Sequence, residues 1–106
     1  MSRPRKVRIG HTVWKVLWSQ RAVDQITGKP GVAVGVSLGS QQTMAVAGDL
    51  IADVERETFL HELLHSCISN AGLAPASEEL LVSVLAPRLL GVLRQNQGVI
   101  DYLLDE

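Results

Sequence analysis

Aromatic residues are scarce: two tryptophans, one tyrosine and one phenylalanine among 106 residues. The core must therefore be built mainly from Leu, Val, Ile and Ala. So small an aliphatic core is marginal, and a bound metal or a partner surface would add stability. The single cysteine, Cys67, excludes an intramolecular disulfide and fits a reducing cytoplasm. No run of about 18 apolar residues is present, so no membrane-spanning helix is expected. A charged start followed by an apolar segment and a cleavage site is also missing, so no signal peptide is expected. Net charge is only −1, which argues against a nucleic-acid-binding protein. The one basic cluster, Arg3, Arg5, Lys6 and Arg8, reads as a solvated, frayed terminus rather than a phosphate-binding arm.

Hydrophobic residues at 46% and charged residues at 20% describe an ordinary globular chain. No repeat or composition shift divides it, so residues 1–106 are read as one domain. The first 50 residues are strand-rich. Val7 to Trp18 reads as one strand, with Trp14, Val16 and Trp18 on a shared face. "QRAVDQITGKPG" reads as a link punctuated by Gly28, Pro30 and Gly31. Val32 to Ser40 is a second strand, weakened by Gly35, and Gln42 to Leu50 a third. Short links between them predict an antiparallel or mixed sheet of about three strands.

From Asp53 the apolar period becomes helical. Asp53 is the expected cap, with Glu55 and Glu57 in the first turn, and Gly72 closes a helix over 53–72. Ser77 is expected to cap a second helix over 77–97, kinked or restarted at Pro87. A short helix over 99–106 follows Gly98. The fold class is α+β.

The motif helix contains "TFLHELLHSC", Thr58 to Cys67. His61 and His65, four residues apart, project from one side of a helix and can reach one Zn²⁺ at about 2.0–2.1 Å. Glu62, rotated by about 100° from His61, can lie beside the metal and take a proton from a water there. Thr58, His61, Glu62, His65 and Ser69 form one polar stripe. Leu60, Leu64, Cys67 and Ala71 flank it, and Phe59 and Leu63 lie on the far side. This predicts a buried helix with its polar face toward a cleft. Cys67 is turned too far from the histidines to be a ligand and is assigned to the core. A chance occurrence of the pattern is weakened by two facts. His61 and His65 are two of only three histidines, and they sit in a strongly apolar helix.

A hydrolytic zinc needs a third protein ligand and an open position. Glu78, Glu79, Asp101, Asp105 and Glu106 are candidates. A short link brings the start of the second helix back toward the end of the first. Glu79 has Ser83 and Ala86 on its own face, small enough to lie close to the motif helix, whereas Glu78 has Leu81, Val82 and Leu85. Glu79 is chosen, with Glu78 left open, since a helix dipole alone favours both glutamates. His11 reads as a strand histidine and Asp49 as a turn residue.

"ETFLHELLHSCISNAGL" followed by "SEELLVSVLAPRLLGVLRQN" resembles the small zincin-type metallopeptidases predicted in bacteriophages and actinobacteria. The resemblance covers roughly Glu57 to Asn96, and the first half matches only in plan. It implies His61 and His65 as zinc ligands, Glu62 as general base and an acidic residue of the second helix as third ligand, as in gluzincins. The interval from His65 to Glu79 is shorter than many gluzincins have. The expected activity is zinc-dependent hydrolysis of a peptide or protein substrate in the cytoplasm, the host's if the chain is phage-encoded. The alternative is a non-enzymatic phage assembly or virion component that keeps a metal-stapled fold to bind a phage or host protein. A third reading is a small α+β domain without metal.

Overall fold

The computed structural model describes residues 2–105. The fold is α+β: four strands form one mixed sheet, and four helices pack on it or on each other. Strands β1 (Lys6–Ile9) and β2 (Thr12–Trp18) form an antiparallel hairpin. The expected single strand is therefore two. Gly10, at φ +61°, makes the turn in a backbone region that a side chain disfavours.

Helix α1 (Gln20–Thr27) occupies the stretch expected to be a link. Ser19 caps it by accepting the Ala22 amide at 3.0 Å, and Gly28 closes it at φ +70°. Val23, at its centre, is fully buried. The glycine and proline punctuation marks the end of this helix rather than a structureless turn.

Strand β3 (Gly35–Leu38) and a single 3₁₀ turn at Gly39–Gln41 lead into β4 (Thr43–Val46). The sheet order is β1-β2-β4-β3, so there are four strands rather than three. β4 lies parallel to β2 and antiparallel to β3. β3 is thus an edge, while β4 is paired on both sides.

One sheet face carries Trp14, Val16 and Met44 as a buried cluster, with Trp18, Phe59 and Leu63 packed against it. The shared face of the two tryptophans is as expected. Trp18 stacks on Phe59 at 5.5 Å between ring centroids and donates from Nε1 to the Pro4 carbonyl at 2.7 Å. The N-terminal arm is not frayed. Lys6 and Arg8 belong to β1, and Arg3 lies over the Trp18 ring while pairing with Glu55 and the Gly48 carbonyl.

Helix α2 (Ala52–Cys67) lies against β3 and β4, and α3 (Pro75–Gln95) lies against α2. Arg94 near the end of α3 pairs with Asp53 at the start of α2, at 3.3 Å, and Glu78 meets His65 at the opposite end. The two helices are therefore antiparallel. Neither expected side-chain cap forms. Ile51 and Ala74 occupy the cap positions, and Asp53 and Glu78 supply first-turn charge. Pro75 at the start of α3 has the fixed φ that suits a first helical turn. α2 ends at Cys67, short of Gly72. Asn70 and Gly72 both take positive φ in the loop that follows.

α3 runs unbroken through Pro87. A proline removes one backbone bond, and the turns on either side carry the helix across it, so of the expected kink or restart the restart does not occur. α4 (Gln97–Leu103) follows directly. Cys67 is exposed, not in the core. It is the last residue of α2, beyond the layer that half-buries Leu60 and Leu64. No helix among the described residues is long and apolar enough to cross a membrane.

Candidate metal centre

The most buried residues of α2 are polar. Glu62 is 6% exposed and Ser66 4%, while Phe59, Leu60, Leu63 and Leu64 are only half-buried. The polar stripe therefore does not simply face an open cleft. Its Glu62 edge is covered by β3.

Gly35 permits this cover. A Cβ at that position would lie 2.7 Å from Thr58 Cγ2 and 2.9 Å from Glu62 Oε2, closer than atoms pack. The residue read as a weakness in the strand is what allows strand and helix to touch. Two positions along, Ser37 donates its hydroxyl to Glu62 Oε1 at 2.9 Å and lies 3.0 Å from the Glu62 carbonyl. Ser66 adds a bond to the same carbonyl at 2.9 Å. Burial raises the Glu62 pKa above the ordinary carboxylate value, although Ser37 and the two histidines pull it down.

His61 and His65 stand one turn apart with ring centroids 4.9 Å from each other. Their Nε2 atoms converge on one carboxylate. His61 Nε2 is 3.1 Å from Glu79 Oε1, and His65 Nε2 is 2.7 Å from Glu79 Oε2. Glu79 reaches them because α3 begins beside the end of α2, with Ala86 of the same face fully buried. Ser83 donates to Glu79 Oε1 at 3.0 Å. Glu78 meets the other side of the His65 ring, with Oε2 2.6 Å from Nδ1.

The charges answer one another. Burial opposes charging of His65, but hydrogen bonds with Glu78 and Glu79 outweigh it and raise its pKa. Burial likewise opposes charging of Glu79, but the bonds from His65 and Ser83 outweigh it and lower its pKa.

One ligand atom each from His61, His65 and Glu79 lies within 4.8 Å of the others. Two imidazole nitrogens and one carboxylate oxygen form a donor set that suits Zn²⁺. Glu79 is the most exposed of the three, with 58% of its side chain open. Of the other candidates, Asp101 hydrogen-bonds Gln97 on α4, and His11, Asp49 and Asp105 are exposed. None of these four joins the group, and Glu106 lies outside the described residues.

A cleft of about 450 Å³ is lined by Ser37, His61, Glu62, His65 and Glu79. A second hollow of about 300 Å³ lies on the other side of His61 and Glu62, between Val34 and Pro87. Sequence reasoning missed Gly35, Ser37 and Ser66 as parts of this site. The only signal for Gly35 and Ser37 was their small side chains at alternate positions of β3, which gave no hint of the partner helix, and Ser66 lies on α2 itself, one turn beyond Glu62. No protein-family model, curated protein or solved structure matches this chain.

Proposed function

We propose that this protein is a minimal zinc-dependent peptidase of the zincin type. The observation that carries the reading is the approach of His61 Nε2 and His65 Nε2 to the Glu79 carboxylate, with buried Glu62 beside them. His61, His65 and Glu79 would hold the ion. Zn²⁺, when bound, supplies a Lewis acid for a scissile carbonyl and lowers the pKa of water toward about 7.

The chain's own residues do the rest. Glu62 is the general base. Its Oε1 is occupied by Ser37, leaving Oε2 to receive the proton. Burial favours the protonated form of Glu62 and so helps the carboxylate keep the proton it has taken. β3 binds the substrate. Its outer edge has unpaired backbone groups, and an extended peptide can add to it as a further strand. Such a peptide would run past both hollows that flank His61 and Glu62. β4 cannot take this part, because it has neighbours on both sides.

Zinc-loaded wild-type protein and Glu62→Gln, incubated with a peptide library and read by mass spectrometry, test the mechanism. Cleavage by wild type alone, with zinc retained in both, is expected. Equal cleavage by Glu62→Gln would sink it.

A second reading, a non-enzymatic phage assembly or virion component, draws on a different observation. Leu80, Tyr102, Leu103 and Leu104 of the α3–α4 region are each at least 65% exposed. Exposed apolar residues of this kind suit a protein partner. Zinc binding without any cleavage, together with stoichiometric incorporation into particles, favours that reading.

A further inference from the structure

Glu78 and Glu79 are consecutive on α3, yet they grip opposite nitrogens of one ring. Glu78 Oε2 lies 2.6 Å from His65 Nδ1, and Glu79 Oε2 lies 2.7 Å from His65 Nε2. The two nitrogens of an imidazole point away from each other, and a histidine commonly gives one of them to a metal. The Nε2 of His61 shares the Glu79 side. A metal held there leaves Glu78 on the wrong side of the ring to be a ligand.

We propose that Glu78 is a positioning residue for the metal centre. Its carboxylate accepts the Nδ1 proton of His65 and fixes the tautomer whose Nε2 lone pair faces the His61–Glu79 group. The inference rests on the zinc reading above and deepens it by assigning the outer partner of one ligand. It makes the two histidines unequal. His65 is clamped by a carboxylate at each ring nitrogen and is 14% exposed, whereas His61 pairs with the Glu79 carboxylate at Nε2 and is 23% exposed. Glu78, at 25%, is better shielded than Glu79, as suits a group whose partner is a side chain rather than an ion open to solvent. A helix dipole explains why an acidic residue is tolerated in the first turn of α3. It does not explain why that residue contacts Nδ1.

The test needs no substrate. Zn²⁺ affinity is measured by chelator competition for wild type, Glu78→Ala, Glu78→Gln and Glu79→Ala, alongside the Co²⁺ absorption spectrum of each. Loss of such an outer partner typically weakens metal binding by about 10- to 100-fold. Glu78→Ala should fall in that range and keep the wild-type Co²⁺ spectrum. Glu78→Gln, whose amide oxygen still accepts a hydrogen bond, should recover part of the loss. Glu79→Ala should lose more affinity and change the spectrum. Wild-type affinity in Glu78→Ala, or a spectrum altered as in Glu79→Ala, overturns the proposal while leaving zinc binding standing. Ring ¹⁵N spectra of zinc-loaded wild type supply a measurement independent of any variant's folding. Nδ1–H on His65 is expected, and a proton on its Nε2 overturns the proposal. Wild-type protein that binds no Zn²⁺ overturns the zinc reading itself, and this inference with it.

Discussion

Ser37 on the edge strand and Glu62 on the motif helix, 25 positions apart in sequence, are joined by a 2.9 Å hydrogen bond that holds one carboxylate oxygen of Glu62 against the sheet. The strand proposed to bind substrate and the base proposed to act on it are one mechanical unit.

Removing that bond should therefore damage turnover more than binding. A hydrogen bond to a charged group is worth about 1.5–3 kcal/mol, and each 1.4 kcal/mol corresponds to about tenfold in rate. Ser37→Ala is expected to lower kcat by about 10- to 100-fold, with KM and bound zinc nearly unchanged. Ser37→Thr, which keeps a hydroxyl, should recover most of the loss. Steady-state kinetics on a cleaved library peptide would check both.

Gly35 should be intolerant of even one added carbon. A Cβ meets two α2 side chains at under 3.0 Å, and overpacking of this kind costs about 1–3 kcal/mol. Gly35→Ala is expected to lower the Tm by roughly 5–20 °C, taking about 4–8 °C per kcal/mol for a domain near this size. Calorimetry on the zinc-free protein gives the number. An unchanged Tm would mean that the strand does not press on the helix.

Glu62 should be held at a cost to the fold. Burial raises its pKa, so its ionised form destabilises the folded chain. A raised folded value means that stability is lost as pH rises from the unfolded value, about 4.3, through the folded one. Glu62→Gln should remove this loss and raise the Tm at neutral pH while abolishing turnover. A lower Tm in that variant would contradict the account.

The His65–Glu79 pair should set a stability window in zinc-free protein. His65 has a raised pKa, so its contribution is full below the unfolded value of about 6.5 and is lost as pH rises through the folded value. Glu79 has a lowered pKa, so its contribution is present above about 4.3 and is lost as pH falls through the folded value. The pair stabilises fully between those unfolded values. A Tm profile against pH in chelator should fall on the alkaline side, and His65→Gln should flatten that fall.

Zinc should replace this pairing as the stabiliser. Free Zn²⁺ at 100 times its Kd stabilises a one-site protein by about 2.7 kcal/mol, or roughly 10–20 °C in Tm. The shift should shrink at acidic pH, where protons compete for the histidines, and reverse with chelator. His61→Ala should abolish it.

How much of this could be read in the sequence depended on distance along the chain. The grouping of His61, Glu62 and His65 is local geometry, and the helical period alone places them on one stripe. Glu79 was readable for a similar reason. Ser83 and Ala86 beside it are small, and the short link limits where α3 can begin. Helix α1 was hidden by its own ending. Gly28, Pro30 and Gly31 drew the reading toward a loop, although Ser19 was in place as a cap. The hairpin at Gly10 was lost because β-branched residues continue on both sides of it. Gly35 and Ser37 could not be assigned to the site at all, because their roles come from tertiary contact with a helix two elements away. Cys67 was misplaced because a helical wheel has no ends, whereas a helix does.

The free edge of β3 carries one more consequence. Its four residues, Gly-Val-Ser-Leu, include no charge and no proline, and Val32 and Val34 just before them are exposed. Proteins commonly guard sheet edges with charges, prolines or bulges against pairing with other chains. Here the guard is missing where a substrate would lie. Substrate capture and self-association would compete for the same backbone groups, so concentrated protein should inhibit itself and a bound peptide should keep it dispersed.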